Sequence, residues 1–123
     1  MLNKLVTATT TLSDDDLDVM FAALADRTRR SIVAHLTHGE ATVNELAAPF
    51  AMSVQAVSRH IQVLERAGLV ERSKLRQTRP CRLDPEAFRA AVDWIDQQRR
   101  EWTERLDRLD RHLNDLQQDR KKP

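Results

Sequence analysis

At 123 residues, with 41% hydrophobic and 32% charged residues, the chain has the length of one ordinary domain and too much apolar content for a disordered one. The single cysteine, Cys81, excludes an internal disulfide or a Cys-rich zinc module and fits a reducing cytoplasm, and no run reaches the ~18 apolar residues of a membrane span. A net charge of +1 decides nothing by itself, but two Gly, four Pro and 4% aromatic residues predict a mainly helical protein with an aliphatic core.

Residues 1–12 read as a flexible N-terminal arm, because the Thr-rich run Thr7 to Thr11 interrupts Leu2, Leu5 and Val6 before a signal-peptide core can form. Ser13 followed by three aspartates suits the positive end of a helix dipole, and Leu17, Met20, Phe21 and Leu24 then recur at helical spacing. Asp26 is the predicted N-cap of a second helix, with Ile32, Val33 and Leu36 inward, Arg29 and Arg30 on the outer side, and Gly39 as the stop. Thr42 with Glu45 three residues later predicts a capping box for a third helix, cut short by Pro49. After the turn Phe50-Ala51-Met52, Ser53 caps a fourth helix whose Val54, Val57, Ile61 and Leu64 face inward and which ends at Gly68. A short helix, a tight turn and a longer helix form a helix-turn-helix unit.

Beyond Gly68 the pattern becomes extended, in Leu69 to Lys74 and again in Pro80 to Leu83, with Leu75, Arg76, Gln77 and Thr78 at a hairpin tip; this hairpin reads as a wing. Asp84-Pro85 then signals a new helix start. Phe88, Val92, Ile95, Arg99, Trp102, Leu106, Leu109, Leu113 and Leu116 alternate steps of four and three, a coiled-coil-like seam that one small domain cannot cover. A second copy of the chain is the economical cover, so a homodimer is expected. The division expected is a winged helix-turn-helix domain over 13–84, a dimerisation helix over 85–118 and a tail over 119–123. Arg99 in the seam either fixes register against an acid across the dimer or reaches outward. Trp94 and Trp102 suit either a core or the wall of a small-molecule pocket.

Charge is unevenly placed. From Arg59 to Arg82 seven basic residues face two acids, a local charge of +5, whereas Ser13 to Asp26 holds five acids and no base. A basic stripe on an otherwise neutral chain is the footprint of a phosphate-backbone binder. With the apolar face of the fourth helix buried, Gln55, Ser58, Arg59 and Gln62 point outward near its N-terminal half, the part of a recognition helix that reaches base edges. Gln and Arg bond adenine and guanine edges bidentately, while Ser53, Ser58 and His60 suit phosphate. Lys74, Arg76, Gln77 and Arg79 on the wing suit phosphates or an adjacent minor groove. The bland alternatives are a solvated helix face and a hairpin whose charges only blunt an edge strand.

Several segments together resemble the ArsR/SmtB family of bacterial repressors: Phe21-Ala22-Ala23-Leu24-Ala25-Asp26 with Thr28-Arg29-Arg30, Val43-Asn44-Glu45-Leu46-Ala47, Ala56-Val57-Ser58-Arg59-His60 with Leu64, and Ala67-Gly68-Leu69-Val70. The likeness spans roughly residues 17 to 109. It implies a dimer joined by the first helix, through Leu17 and Phe21, and the last, through Val92, Ile95, Trp102, Leu106, Leu109 and Leu113, on a palindromic double-stranded DNA operator. The family's metal-sensing motifs are missing: Ala47, Ala48 and Pro49 stand where a cysteine pair belongs, and Asp110 with His112 lacks the further ligands zinc needs. No metal or cofactor is expected. The wing departs from the family too, with Leu75-Arg76-Gln77 where a Gly turn is common and Cys81 where an aromatic is. Cys81 is read as a small packed hydrophobe or, alternatively, a redox sensor. No Gly-rich phosphate loop or nucleophile elbow appears, so an enzyme is not expected. The rival function is a protein-interaction module using the C-terminal helix, with a vestigial winged domain.

Overall fold

Every helix among the described residues starts on the polar residue that the sequence nominates. The computed structural model describes residues 13–74 and 77–121. Ser13, Asp26, Thr42 and Ser53 each accept, through a side-chain oxygen, the N–H of the third helical residue, opening α1 (Asp14–Leu24), α2 (Arg27–Leu36), α3 (Val43–Ala47) and α4 (Val54–Arg66). In α3 the box is reciprocal, since Glu45 Oε1 accepts the Thr42 N–H at 3.0 Å while Thr42 Oγ1 accepts the Glu45 N–H at 3.2 Å. The Thr42 N–H and the Thr42 hydroxyl, which also donates to Glu45 Oε1 at 3.0 Å, hold the Glu45 carboxyl below its ordinary range, the backbone bond first. The Asp84 carboxylate accepts the Glu86 N–H at 3.0 Å at the start of α5 (Pro85–Lys121), three residues longer than the expected end at Gln118. Each such cap contributes about 0.5–2 kcal/mol.

The end of α4 is set by Gly68. Its φ of +77° lies in the left-handed region, where a side chain is strained. That conformation lets the Gly68 N–H reach Glu65 O at 2.9 Å and the Leu69 N–H reach Leu64 O at 3.0 Å, a Schellman closure that satisfies two orphan carbonyls. The chain turns directly into β1 (Val70–Arg72), which pairs antiparallel with β2 (Cys81–Leu83) in the register Val70↔Leu83, Glu71↔Arg82 and Arg72↔Cys81. Both strands are shorter than the sequence pattern suggests. Ala41, between α2 and α3, adds a one-residue bridge on the other side of β2, its N–H donating to Cys81 O at 3.0 Å and its carbonyl accepting from Cys81 N at 2.7 Å.

The chain divides after Ala91 into two compact units. In the first, the core joins Met20 and Ala23 of α1, Ile32 and Leu36 of α2, Leu46 and Ala47 of α3, Val57, Ile61 and Leu64 of α4, Leu69, Val70 and Cys81 of the hairpin region, and Ala91. Each large aliphatic side chain so buried stabilises the fold by about 1.5–3 kcal/mol. Leu17 is also buried, at 6% exposure, whereas Phe21 is 37% exposed. Cys81 is wholly buried, and burial pushes its thiol above the ordinary range, so it is a packed group without thiolate character.

The second unit is the remainder of α5. Along it Val92, Trp94, Ile95, Trp102, Leu106, Leu109, Leu113 and Leu116 are all exposed. Arg99 donates from Nε and Nη2 to Asp96 Oδ1 at 3.1 and 2.6 Å, and these bonds hold the Asp96 carboxyl below its usual range. Arg99 is therefore tied one turn back along its own helix. The 37 residues of α5 span about 55 Å at ~1.5 Å per residue. No helix among the described residues is long and apolar enough to cross a membrane.

Candidate nucleic-acid interface

The outward side of α4 is defined by what its inward side buries. Val57, Ile61 and Leu64 have 0% exposure and pin the helix against α2 and α3. Gln55, Arg59 and Gln62 are left exposed and Ser58 half-buried. Ser53 accepts the Ala56 N–H at 3.1 Å, so its oxygen caps the helix. Two expectations are corrected here. Val54 is 44% exposed rather than inward, because it lies in the first turn, where side chains lean past the helix end.

The second correction concerns Arg29, expected on the outer side of α2. Instead it folds back over the end of α1, where Nε donates to Ala23 O at 2.6 Å and Nη2 to Ala22 O at 3.2 Å. Arg30 Nη1 likewise donates to Leu24 O at 2.9 Å. The last carbonyls of a helix lack intrahelical partners, and α1 has no basic residue in its own last turn, so the arginines of α2 fill that role. Arg29 Nη1 also lies 3.2 Å from His60 Nδ1, and His60 Nδ1 lies 3.9 Å from Asp26 Oδ1. The Arg29 N–H bond holds the Asp26 carboxyl below its ordinary range against the opposing effect of burial, with the Arg29 charge adding to the lowering. His60, read from sequence as a phosphate contact, is thus drawn toward the α1–α2 junction. Nothing in the spacing of residues within α4 signals this cluster; only the long-range packing of α2 on α4 creates it.

The wing extends the same surface. Arg72 Nε lies 3.1 Å from Glu65 Oε1, an ion pair not aligned as a hydrogen bond, and Arg82 pairs with Glu71 at 3.0 Å. These two pairs neutralise both acids of the basic segment. Among the described residues Arg59, Arg66, Lys74 and Arg79 are exposed and carry no ion pair, so they hold the excess positive charge. Arg76 lies outside the described residues. An open pocket of about 200 Å³ is lined by Gln62, Glu65, Arg72 and Arg79, which puts α4 and the wing on one continuous face. Arg79 has φ +46°, a strained conformation for a residue with a side chain, just before the Ser73 N–H to Pro80 O bond at 2.9 Å closes the loop. Gln77 and Lys74 are exposed on that loop. Among the described residues no group of three or more His, Cys, Asp or Glu side chains is placed to hold a metal ion.

A capped recognition helix held by its apolar face, with a cation-rich hairpin beside it, defines a winged helix-turn-helix DNA-binding protein. A family described as a helix-turn-helix domain matches residues 24–73. The chain is 42% identical over 89 residues, 72% of this chain and 80% of the relative, to the HTH-type transcriptional regulator Rv2034 of Mycobacterium tuberculosis. It superposes on a crystal structure of an ArsR family transcriptional regulator with a TM-score of 0.69 at 36% identity, covering 76% of this chain and 97% of the other. It also matches the solution structure of the homodimeric winged helix-turn-helix DNA-binding domain of Mb0332 from Mycobacterium bovis, with a TM-score of 0.55, 27% identity and coverage of 71% and 88%. The chain belongs to the ArsR family of transcriptional regulators.

Proposed function

We propose that the protein is a cytoplasmic repressor that acts as a homodimer on a palindromic operator. Residues 13–84 bind DNA and residues 85–118 join the two copies. In each half-site Gln55, Arg59 and Gln62 face base edges in the major groove, Ser53 and Ser58 lie toward phosphate, His60 braces α4 against the α1–α2 junction, and Lys74, Arg76, Gln77 and Arg79 grip the flanking backbone. The carrying observation is that the exposed cations Arg59 and Arg66 share the helical phase of Gln55 and Gln62 on α4, with Arg79 of the wing beside Gln62 and Lys74 exposed on the same wing loop. Such a face has little to gain in water and much to gain against phosphate, where each contact releases counterions.

The dimer reading rests on the exposed seam of α5. Burying Val92, Ile95, Trp102, Leu106, Leu109 and Leu113 against a second copy, with the exposed Phe21 of α1 contributing, removes a continuous run of apolar side chains from water, whereas Leu17, expected in the same contact, is already buried within its own chain. The similar Mb0332 domain is homodimeric, which supports a dimer here. The resemblance to the ArsR/SmtB repressors supports repression, by occupancy of a promoter, over activation. The test is selection of bound duplexes from a random pool together with light scattering of the protein. A recovered inverted repeat, half-sites about one helical turn or a multiple apart, and a dimeric mass are the expected results. A monomeric mass with no enriched sequence would favour a protein-interaction module working through α5.

A further inference from the structure

The recognition helix carries one apolar side chain that its fold does not use. Val57, Ile61 and Leu64 are 0% exposed, yet Val54 is 44% exposed at the first helical position, next to the exposed Gln55 and one turn before Ser58. Helix formation gives no reason for Val there. β-Branched residues are poor helix formers, and the first turn favours Pro or an acidic side chain. The apolar pair that commonly fixes a helix entry falls at the residue before the cap and the fourth helical residue, here Met52, packed against the core, and Val57, within it. Val54 stands outside that pair. It offers no donor or acceptor, and the base edges of the major groove present one apolar group, the 5-methyl of thymine.

We propose that Val54 is a specificity residue that packs on a thymine 5-methyl group in each half-site, on a base pair flanking the one Gln55 contacts. This rests on the DNA-binding reading given above. It predicts that the protein distinguishes thymine from uracil at one symmetry-related pair of positions, although the two bases present the same hydrogen-bonding groups.

The test uses the full chain and the duplex it selects, with each thymine replaced in turn by deoxyuridine in both half-sites, against wild type and V54A. Ala at an exposed first-turn position preserves the helix, and an unchanged thermal midpoint verifies this. Loss of one buried methyl per half-site weakens wild-type binding about fourfold, or about fifteenfold for the symmetric pair. V54A is expected to bind the thymine duplex about that much more weakly and to be indifferent to deoxyuridine at that pair alone. The proposal is overturned if wild type ignores every replacement, or if V54A keeps the full wild-type sensitivity at each position. In either case tight, salt-sensitive binding to the selected duplex leaves the DNA-binding reading standing, whereas failure to bind any duplex overturns both.

Discussion

Replacing Arg29 by Ala removes a strap that joins three helices. The wild-type guanidinium serves Ala23 O at 2.6 Å, Ala22 O at 3.2 Å and His60 Nδ1 at 3.2 Å, so it ties the end of α1 and the middle of α4 to the start of α2. Hydrogen bonds to a charged group are each worth about 1.5–3 kcal/mol where water is excluded. The bond to Ala22 is exposed and water replaces it at little cost, and the other two are only partly buried, so the loss expected is about 2–3 kcal/mol rather than the full sum. With a urea dependence of roughly 1–3 kcal/mol per molar, the unfolding midpoint should fall by about 1–2 M, measured at fixed protein concentration because association also stabilises the folded state. Arg29→Lys keeps the charge but replaces a planar fork by a single ammonium, and should recover less than half of the loss. A double-mutant cycle with His60→Ala should show coupling of about 0.5–1.5 kcal/mol. A midpoint shift below about 0.3 M for Arg29→Ala, or a Lys variant indistinguishable from wild type, would refute the strap.

Gly68→Ala should cost about 1 kcal/mol in chemical denaturation: open space surrounds the position, so the whole effect comes from the φ of +77°. Arg79→Gly should move two readouts in opposite directions, relieving the left-handed strain to raise stability by about 0.5 kcal/mol while weakening binding to all duplexes alike, as filter binding would show. The depressed carboxyls of Asp26 and Glu45 contribute stability that is present above their unfolded values and lost as the pH falls through their lower folded values. Acid unfolding followed by circular dichroism should accordingly sharpen below about pH 4, and Asp26→Asn should flatten part of that loss. Leu106→Asp together with Leu109→Asp should convert a dimer to a monomer in light scattering, since each places a charge in the seam.

What the sequence made legible was local. Ser13, Asp26, Thr42 and Ser53 announce helix starts because a cap needs only its own third neighbour, and Gly68 announces an end because few other residues tolerate its φ. The α5 seam reads directly from alternating steps of four and three. Features built by distant parts of the chain did not show. The Ala41–Cys81 bridge joins residues forty positions apart and follows no periodic signal. Helical phase places Arg29 outside, but a long guanidinium is drawn to the unpaired carbonyls at the end of α1, and phase is blind to that attraction. Val54 shares the phase of the core face, yet a first-turn side chain leans off the helix end and escapes burial. At the candidate interface the residue types were readable, while the pairing of Arg72 with Glu65 and Arg82 with Glu71, which leaves Arg59, Arg66, Lys74 and Arg79 to carry the charge, required the packed wing.

The most direct measurement is the affinity of the purified protein for its selected inverted repeat as salt is raised. Two recognition helices and two wings together offer about six to eight phosphate contacts, and log K should fall linearly with log salt with a slope of about −5 to −7. A single-stranded or scrambled duplex of the same length should bind far more weakly at every salt concentration. A slope near zero, or equal affinity for the repeat and the scrambled duplex, would contradict sequence-specific binding of duplex DNA through this face.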